Sequence, residues 1–160
     1  MILRLLKIMM IVSIALFFSV TAYDNIVDRA FNLNAVQHVL SMDTISKSST
    51  LMNRSISDTS TQKIAYGLII ATETLAALFS WLGAILLFWH RRDPMQFAQK
   101  KQYANIGLGI GLLLYLLGFL VIAGEWFVMW QSTQWNAEQT ASYLSIIILA
   151  GLIFLNQEEK

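Results

Sequence analysis

Residues 64–89 read "IAYGLIIATETLAALFSWLGAILLFW". One charge, Glu73, interrupts a run that is otherwise apolar or small and is long enough to cross a bilayer core, which takes about 20 residues as a helix. In lipid only a helix or a closed barrel satisfies every backbone N–H and C=O, so the run predicts a transmembrane helix. Three more blocks share its character: residues 2–23, 103–127 and 141–155. The last is short and reaches spanning length by starting near Trp135 or Asn136, for a span of about 137–155. The expected fold is all-α. It is a single integral membrane domain over residues 1–160, an antiparallel bundle of four transmembrane helices with a short amphipathic helix in the first outer loop.

Composition agrees. Of 160 residues 56% are hydrophobic and 13% charged, with a mean hydropathy of +0.57, more apolar surface than a soluble domain of this size can hide. A net charge of +1, with no basic patch interleaved with aromatics, points away from nucleic acid. No cysteine means no disulfide, thiolate nucleophile or iron–sulfur cluster. His38 and His90 lie far apart in sequence, so no metal site and no cofactor are expected. The expected surroundings are the lipid bilayer. Another membrane protein or a second copy of the chain stays open as a partner.

The first block has two readings. Arg4 and Lys7 ahead of an apolar core and "VTA" resemble a signal peptide cleaved after Ala22. The same residues serve an uncleaved first helix whose basic side chains snorkel to the headgroups. The uncleaved helix is favoured, because a fourth span closes an antiparallel bundle. Orientation follows from Arg4, Lys7, Arg91, Arg92, Lys100, Lys101 and Lys160, seven of the eleven basic residues, which share one side. Both termini are therefore expected in the cytoplasm. Residues 24–63 and the 128–140 turn face outwards.

The outer segment 24–63 is too long for a plain turn. Within it "NLNAVQHVLSM" offers Asn34 as an N-cap and Val36, Val39 and Leu40 on one helical face. The competing reading is a partly ordered loop. No internal repeat is evident, which disfavours an inverted-repeat transporter.

Helices in lipid pack through small residues. At 100° per residue Glu73, Ala77, Ser80 and Ala84 share a stripe with Tyr66, and Gly107, Gly111, Gly118 and Glu125 form another. Both glutamates are thus expected to face helices rather than lipid, where an ionised carboxylate is costly. The helical rise separates them in depth by about 10 Å, too far for a shared-proton pair or a dinuclear metal site. Glu73 reads either as a proton-accepting or ligand-contacting group in an outward-facing cavity, or as a side chain tying its helix to a neighbour. Thr72, Thr74, Tyr115 and an outer-segment donor are its candidate partners. Glu125 has Arg29, Arg54 and Lys63 on its own side for an interfacial ion pair. Trp126, Trp130 and Trp135 fall where an outer aromatic belt is expected, and Trp126 and Trp130 are i,i+4 neighbours.

"YDNIVD", "VLSMDT", Glu73 and "GEWFVMWQSTQWN" together resemble the bacterial family of predicted small integral membrane proteins with a domain of unknown function, over nearly the whole chain. The resemblance implies a four-helix inner-membrane protein without signal cleavage and implies no activity. Its marked positions are Asp24, Asn25, Asp28, Met42, Asp43, Thr44 and Glu73, then Gly124, Glu125, Trp126, Trp130, Trp135 and Asn136. All but Glu73 lie outside. Two distant outer segments are therefore expected to dock, with Asp24, Asp28 or Asp43 against the 125–136 turn, as an ordered cap over a Glu73 cavity.

The leading functional expectation is a non-enzymatic accessory or assembly subunit of a membrane complex. The alternative is binding or transport of a lipid, quinone or small molecule in an outward-facing pocket around Glu73. An intramembrane enzyme lacks a nucleophile–base pair.

Overall fold

The structure, a computed structural model, describes residues 1–158. It contains α1 (Ile2–Val27), α2 (Arg29–Ser41), α3 (Thr59–Trp89), α4 (Pro94–Leu113) and α5 (Glu138–Asn156), with no strand among the described residues. α4 runs on directly as a π-helix, Leu114–Trp126. Four helices are long and apolar enough to cross a membrane: α1, α3, α4 with its π extension, and α5.

The helices outrun the apolar blocks where caps allow it. α3 starts at Thr59 because the Asp58 carboxylate accepts the Thr61 backbone N–H at 2.7 Å. Its 31 residues span about 46 Å, more than a hydrocarbon core, so its first turns project beyond the apolar zone. α4 starts at Pro94, inside what the sequence suggests is a polar loop. Asp93 accepts from the N–H groups of Met95 and Gln96 at 2.9 and 3.1 Å, and Pro94 fills the first helical position, where no N–H is needed. α2 corrects the Asn34 cap. Its first residue is Arg29, after a one-residue break at Asp28 (φ −97°, ψ 47°), and Asn34 lies exposed within it.

α3 lies at the centre, packed on α1 and α4, and α5 closes against α4 and its π extension. The closest approach uses small residues, since lipid gives helices no hydrophobic drive to associate and packing must supply it. A Cβ on Gly83 would lie 2.5 Å from the Ala104 backbone N, and one on Gly107 would lie 2.6 Å from the Ser80 backbone N. A Cβ on Gly111 would strike the ring of Phe18 from α1, which is fully buried.

The second sequence stripe ends there. π turns carry more residues per revolution than α turns, so Gly118 and Glu125 rotate off the Gly107–Gly111 face. Gly118 is half-buried, with only Leu114 Cδ1 near a would-be Cβ, at 3.6 Å, and Glu125 is exposed.

One end of the bundle carries Met1 and Gln157. There Arg4 Nη1 donates to the Arg91 carbonyl at 2.9 Å, and Lys7 and Lys101 both donate to the Gln157 carbonyl. Lys7 does not snorkel: it is 0% exposed, inside the bundle. Lys160 lies outside the described residues. The opposite end, formed by α2, residues 42–58 and the turn 127–137, is called the cap end below.

Candidate functional site

The cap has its own small core: Leu40, Met42 and Ile45 from the first segment meet Phe127 and Val128 from the second. Met42 and Val128 both hold left-handed backbone, φ 55° and 56°, and both are buried. For a β-branched residue such as valine that conformation is strained and persists only where the surroundings enforce it. Polar contacts add to the join. Thr44 Oγ1 donates to Ser132 Oγ at 2.9 Å, and the Ser46 N–H donates to Gln131 Oε1 at 3.3 Å. Arg54 donates to the Trp126 carbonyl at 3.3 Å, with its guanidinium 4.5 Å from the Trp126 ring centroid.

Trp135 is the aromatic that binds the two segments. Its ring stacks on His38 at 5.1 Å and 11°, and Phe31 lies 5.7 Å from it. His38 Nδ1 lies 2.9 Å from either carboxylate oxygen of Asp43. Trp126 and Trp130 do not share a helical face, because the helix ends at Trp126 and Val128 turns the chain. Both are about half exposed, at 54% and 51%. Asn136 lies two residues before α5, and its Oδ1 accepts the Glu138 N–H at 3.0 Å. Asp24 and Asp28 stand exposed at the α1–α2 junction, and neither carboxylate is hydrogen-bonded among the described residues.

Beneath the cap lies a half-open cavity of about 300 Å³ between α2, α3 and the π segment. Val36 and Val39 form its roof, Leu68 and Ile69 one wall, Phe119 and Ile122 the other. The lining is almost wholly carbon. Thr72 is its one hydroxyl-bearing side chain, and that hydroxyl donates back to the Leu68 carbonyl at 2.7 Å. Gly118 of the π segment leaves room on one side of the space, and α2 lines the other.

Glu73 does not line this cavity. It is 2% exposed and faces α1, where Asn25 Nδ2 donates to its Oε2 at 2.8 Å. The hydroxyl of Tyr66 donates to the backbone carbonyl of the same Asn25. Neither Thr72 nor Thr74 serves Glu73, since each hydroxyl bonds the carbonyl four residues back. Tyr115 is buried nearby, stacked on Phe18.

Glu125 contradicts the expected ion pair. Arg54 is engaged by Trp126, and Glu125 instead shares a shallow polar depression with Asn136, Glu138 and Gln139. Glu73 and Glu125 therefore serve different places. Among the described residues no group of three or more acidic or histidine side chains is placed to hold a metal.

The outer-segment donor expected for Glu73 is Asn25, which the sequence did not single out among the donors there. Sequence reasoning missed two other participants. His38 stood alone in sequence, although Asp43 lies just past the end of its helix. Glu138 sat in a stretch read only as the start of a span.

The family model described as "Predicted small integral membrane protein (DUF2165)" matches residues 3–158. No curated protein and no solved structure matches the chain.

Proposed function

Since the chain belongs to this family of small integral membrane proteins, its ligand is met in or at a bilayer, and we propose that it holds the hydrocarbon chain of a membrane lipid in the cavity beneath α2. The almost wholly carbon lining of that cavity carries the reading. Its volume of about 300 Å³ lies at the lower end of the range of small-molecule sites. A quinone ring would bring two carbonyls that need donors, and the lining offers at most the Trp135 indole N–H, because the Thr72 hydroxyl is committed to Leu68. The pocket of this proposal lies beside Glu73, one helix face away. The lining also presents an occupant with no nucleophile or acid–base pair, which supports binding rather than catalysis.

The charge distribution supports an orientation. Arg91, Arg92 and Lys100 share the end that carries the described chain ends, so both termini are assigned to the cytoplasm and the cap to the outer face of a bacterial inner membrane. A second reading is an accessory or assembly subunit. It draws on Trp126 and Trp130, which stand about half exposed beside the cap at 54% and 51%, side chains of the type enriched at interfaces.

Native mass spectrometry of the full chain released from nanodiscs tests both. The lipid reading expects a retained phospholipid that is lost in Gly118→Leu, a position with room for the added side chain inside the cavity. An adduct that survives Gly118→Leu undiminished refutes it. A stoichiometric protein partner without lipid favours the second reading.

A further inference from the structure

We infer that Glu73 is the positioning residue of the cavity's lid: through Asn25 it fixes the end of α1, and so sets how α2 closes over the bound chain. The inference rests on the lipid-binding reading for its ligand, but its geometry stands without one.

α2 has the attachment of a lid. Leu40 is its only buried residue, and the side chains that roof the cavity, Val36 and Val39, are half-buried. Elements with so few buried contacts open at lower free energy than the core beneath them. The joint to α1 is the single residue Asp28, whose side chain caps nothing. One hydrogen bond crosses it from helix to helix, Asn32 Nδ2 to the Asp24 carbonyl at 3.3 Å, while the Asp28 backbone bonds Asp24 at 2.8 Å and Asn32 at 3.2 Å.

Three residues before the joint, Asn25 is held twice by α3. Its amide donates to Glu73 and its carbonyl accepts from Tyr66. An asparagine side chain points where its acceptor is, so a buried carboxyl oxygen there fixes the rotation of the last α1 turn. An apolar residue at position 73 would pack α1 against α3 without fixing that rotation. The far edge of α2 is latched separately, by His38 on Trp135, by Gln37 Nε2 on Gln62 Oε1 at 3.1 Å, and by the Ile56 N–H on the Leu40 carbonyl at 2.7 Å. Releasing Asn25 should therefore loosen the lid from its α1 end, with the far edge still closed.

The chain contains no cysteine, so spin labels can be placed cleanly at Asn34 on α2 and Thr140 on α5, both exposed. Pulsed-resonance distances in nanodiscs read the lid, and release of a pyrene-labelled phosphatidylethanolamine reads the cavity. Glu73→Leu and Asn25→Ala should each broaden the distance distribution and speed release about 2- to 10-fold, the range one net hydrogen bond supplies. Glu73→Gln keeps a carbonyl acceptor for Asn25 and should restore both readouts, which a general packing defect would not allow. Asn25→Ala keeps the test valid if Glu73→Leu fails to fold. Unchanged distances in Asn25→Ala, or Glu73→Gln behaving as Glu73→Leu, overturn the inference. If the wild type binds no labelled lipid but the distances still shift, the ligand reading falls and the lid stands.

Discussion

Adding one methyl group at Gly107 should weaken the bundle more than a single methyl normally can. The new Cβ would lie 2.5 Å from Ser80 Oγ, 2.6 Å from the Ser80 backbone N and 2.9 Å from the Ala76 carbonyl oxygen, where ordinary contact begins at 3.4 Å. Two of those atoms are helix backbone and cannot rotate away, so α3 and α4 must part by roughly 1 Å. Overpacking of this kind costs about 1–3 kcal/mol. Ala also gains about 1 kcal/mol over Gly in helix propensity. Gly107→Ala should therefore lose up to about 2 kcal/mol net. Gly109, two residues on, has nothing within 4 Å of its would-be Cβ, so Gly109→Ala should be neutral or gain up to about 1 kcal/mol. SDS titration of mixed micelles, followed by circular dichroism, gives the two midpoints. The reasoning is refuted if Gly107→Ala is more stable than the wild type, or if both substitutions move the midpoint by the same amount in the same direction.

Thr44→Cys with Ser132→Cys should form a disulfide without added oxidant on an outward-facing cap, because the two hydroxyl oxygens sit 2.9 Å apart. A pair that stays reduced and resists mild oxidation would place the two segments apart. At the start of α3, the Thr61 hydroxyl and then the Thr61 N–H hold the Asp58 carboxyl below the usual carboxylate range. A depressed folded-state pKa adds stability that is complete above the unfolded value, 3.8, and is lost as pH falls through the lower folded value. Hydrogen exchange at the first turn of α3, corrected for intrinsic rate, should stay constant through neutral and mildly acidic pH and rise only below that value. Equal protection at about pH 2 would remove the cap from the account.

The spanning helices were legible because length and hydropathy suffice for them in lipid. Glu73 was legible as a carboxyl turned inwards, since its neighbours on the same stripe are Ala77, Ser80 and Ala84. Its partner was legible only as a donor from the outer segment, because which residue there reaches it, Asn25, depends on the rotation of a different helix. The cavity was hidden for a related reason. It depends on the wide turns after Leu113, and no residue in "LYLLGFLVIAGEW" announces them. A stripe drawn at 100° per residue therefore ran true to Gly111 and failed at Gly118. The left-handed turn at Val128 was also unreadable, since local preference opposes it and only the surrounding cap core holds it in place. The shared location of the "DNIVD", "MDT" and "GEWF…WN" residues at one end of the bundle was readable by counting spans. Which aspartate reaches the turn was not, and Asp43 does so through His38 and Trp135.

The most direct measurement is photolabelling in nanodiscs with a phospholipid that carries a diazirine midway along one acyl chain, followed by peptide mapping. The account predicts adducts on the roof and walls of the cavity, at Val36, Val39, Ile69 and Ile122, and their loss in Gly118→Leu. Label confined to outward faces such as Ile146, Ile147 and Ile153 of α5, with the cavity residues unmodified, would contradict it.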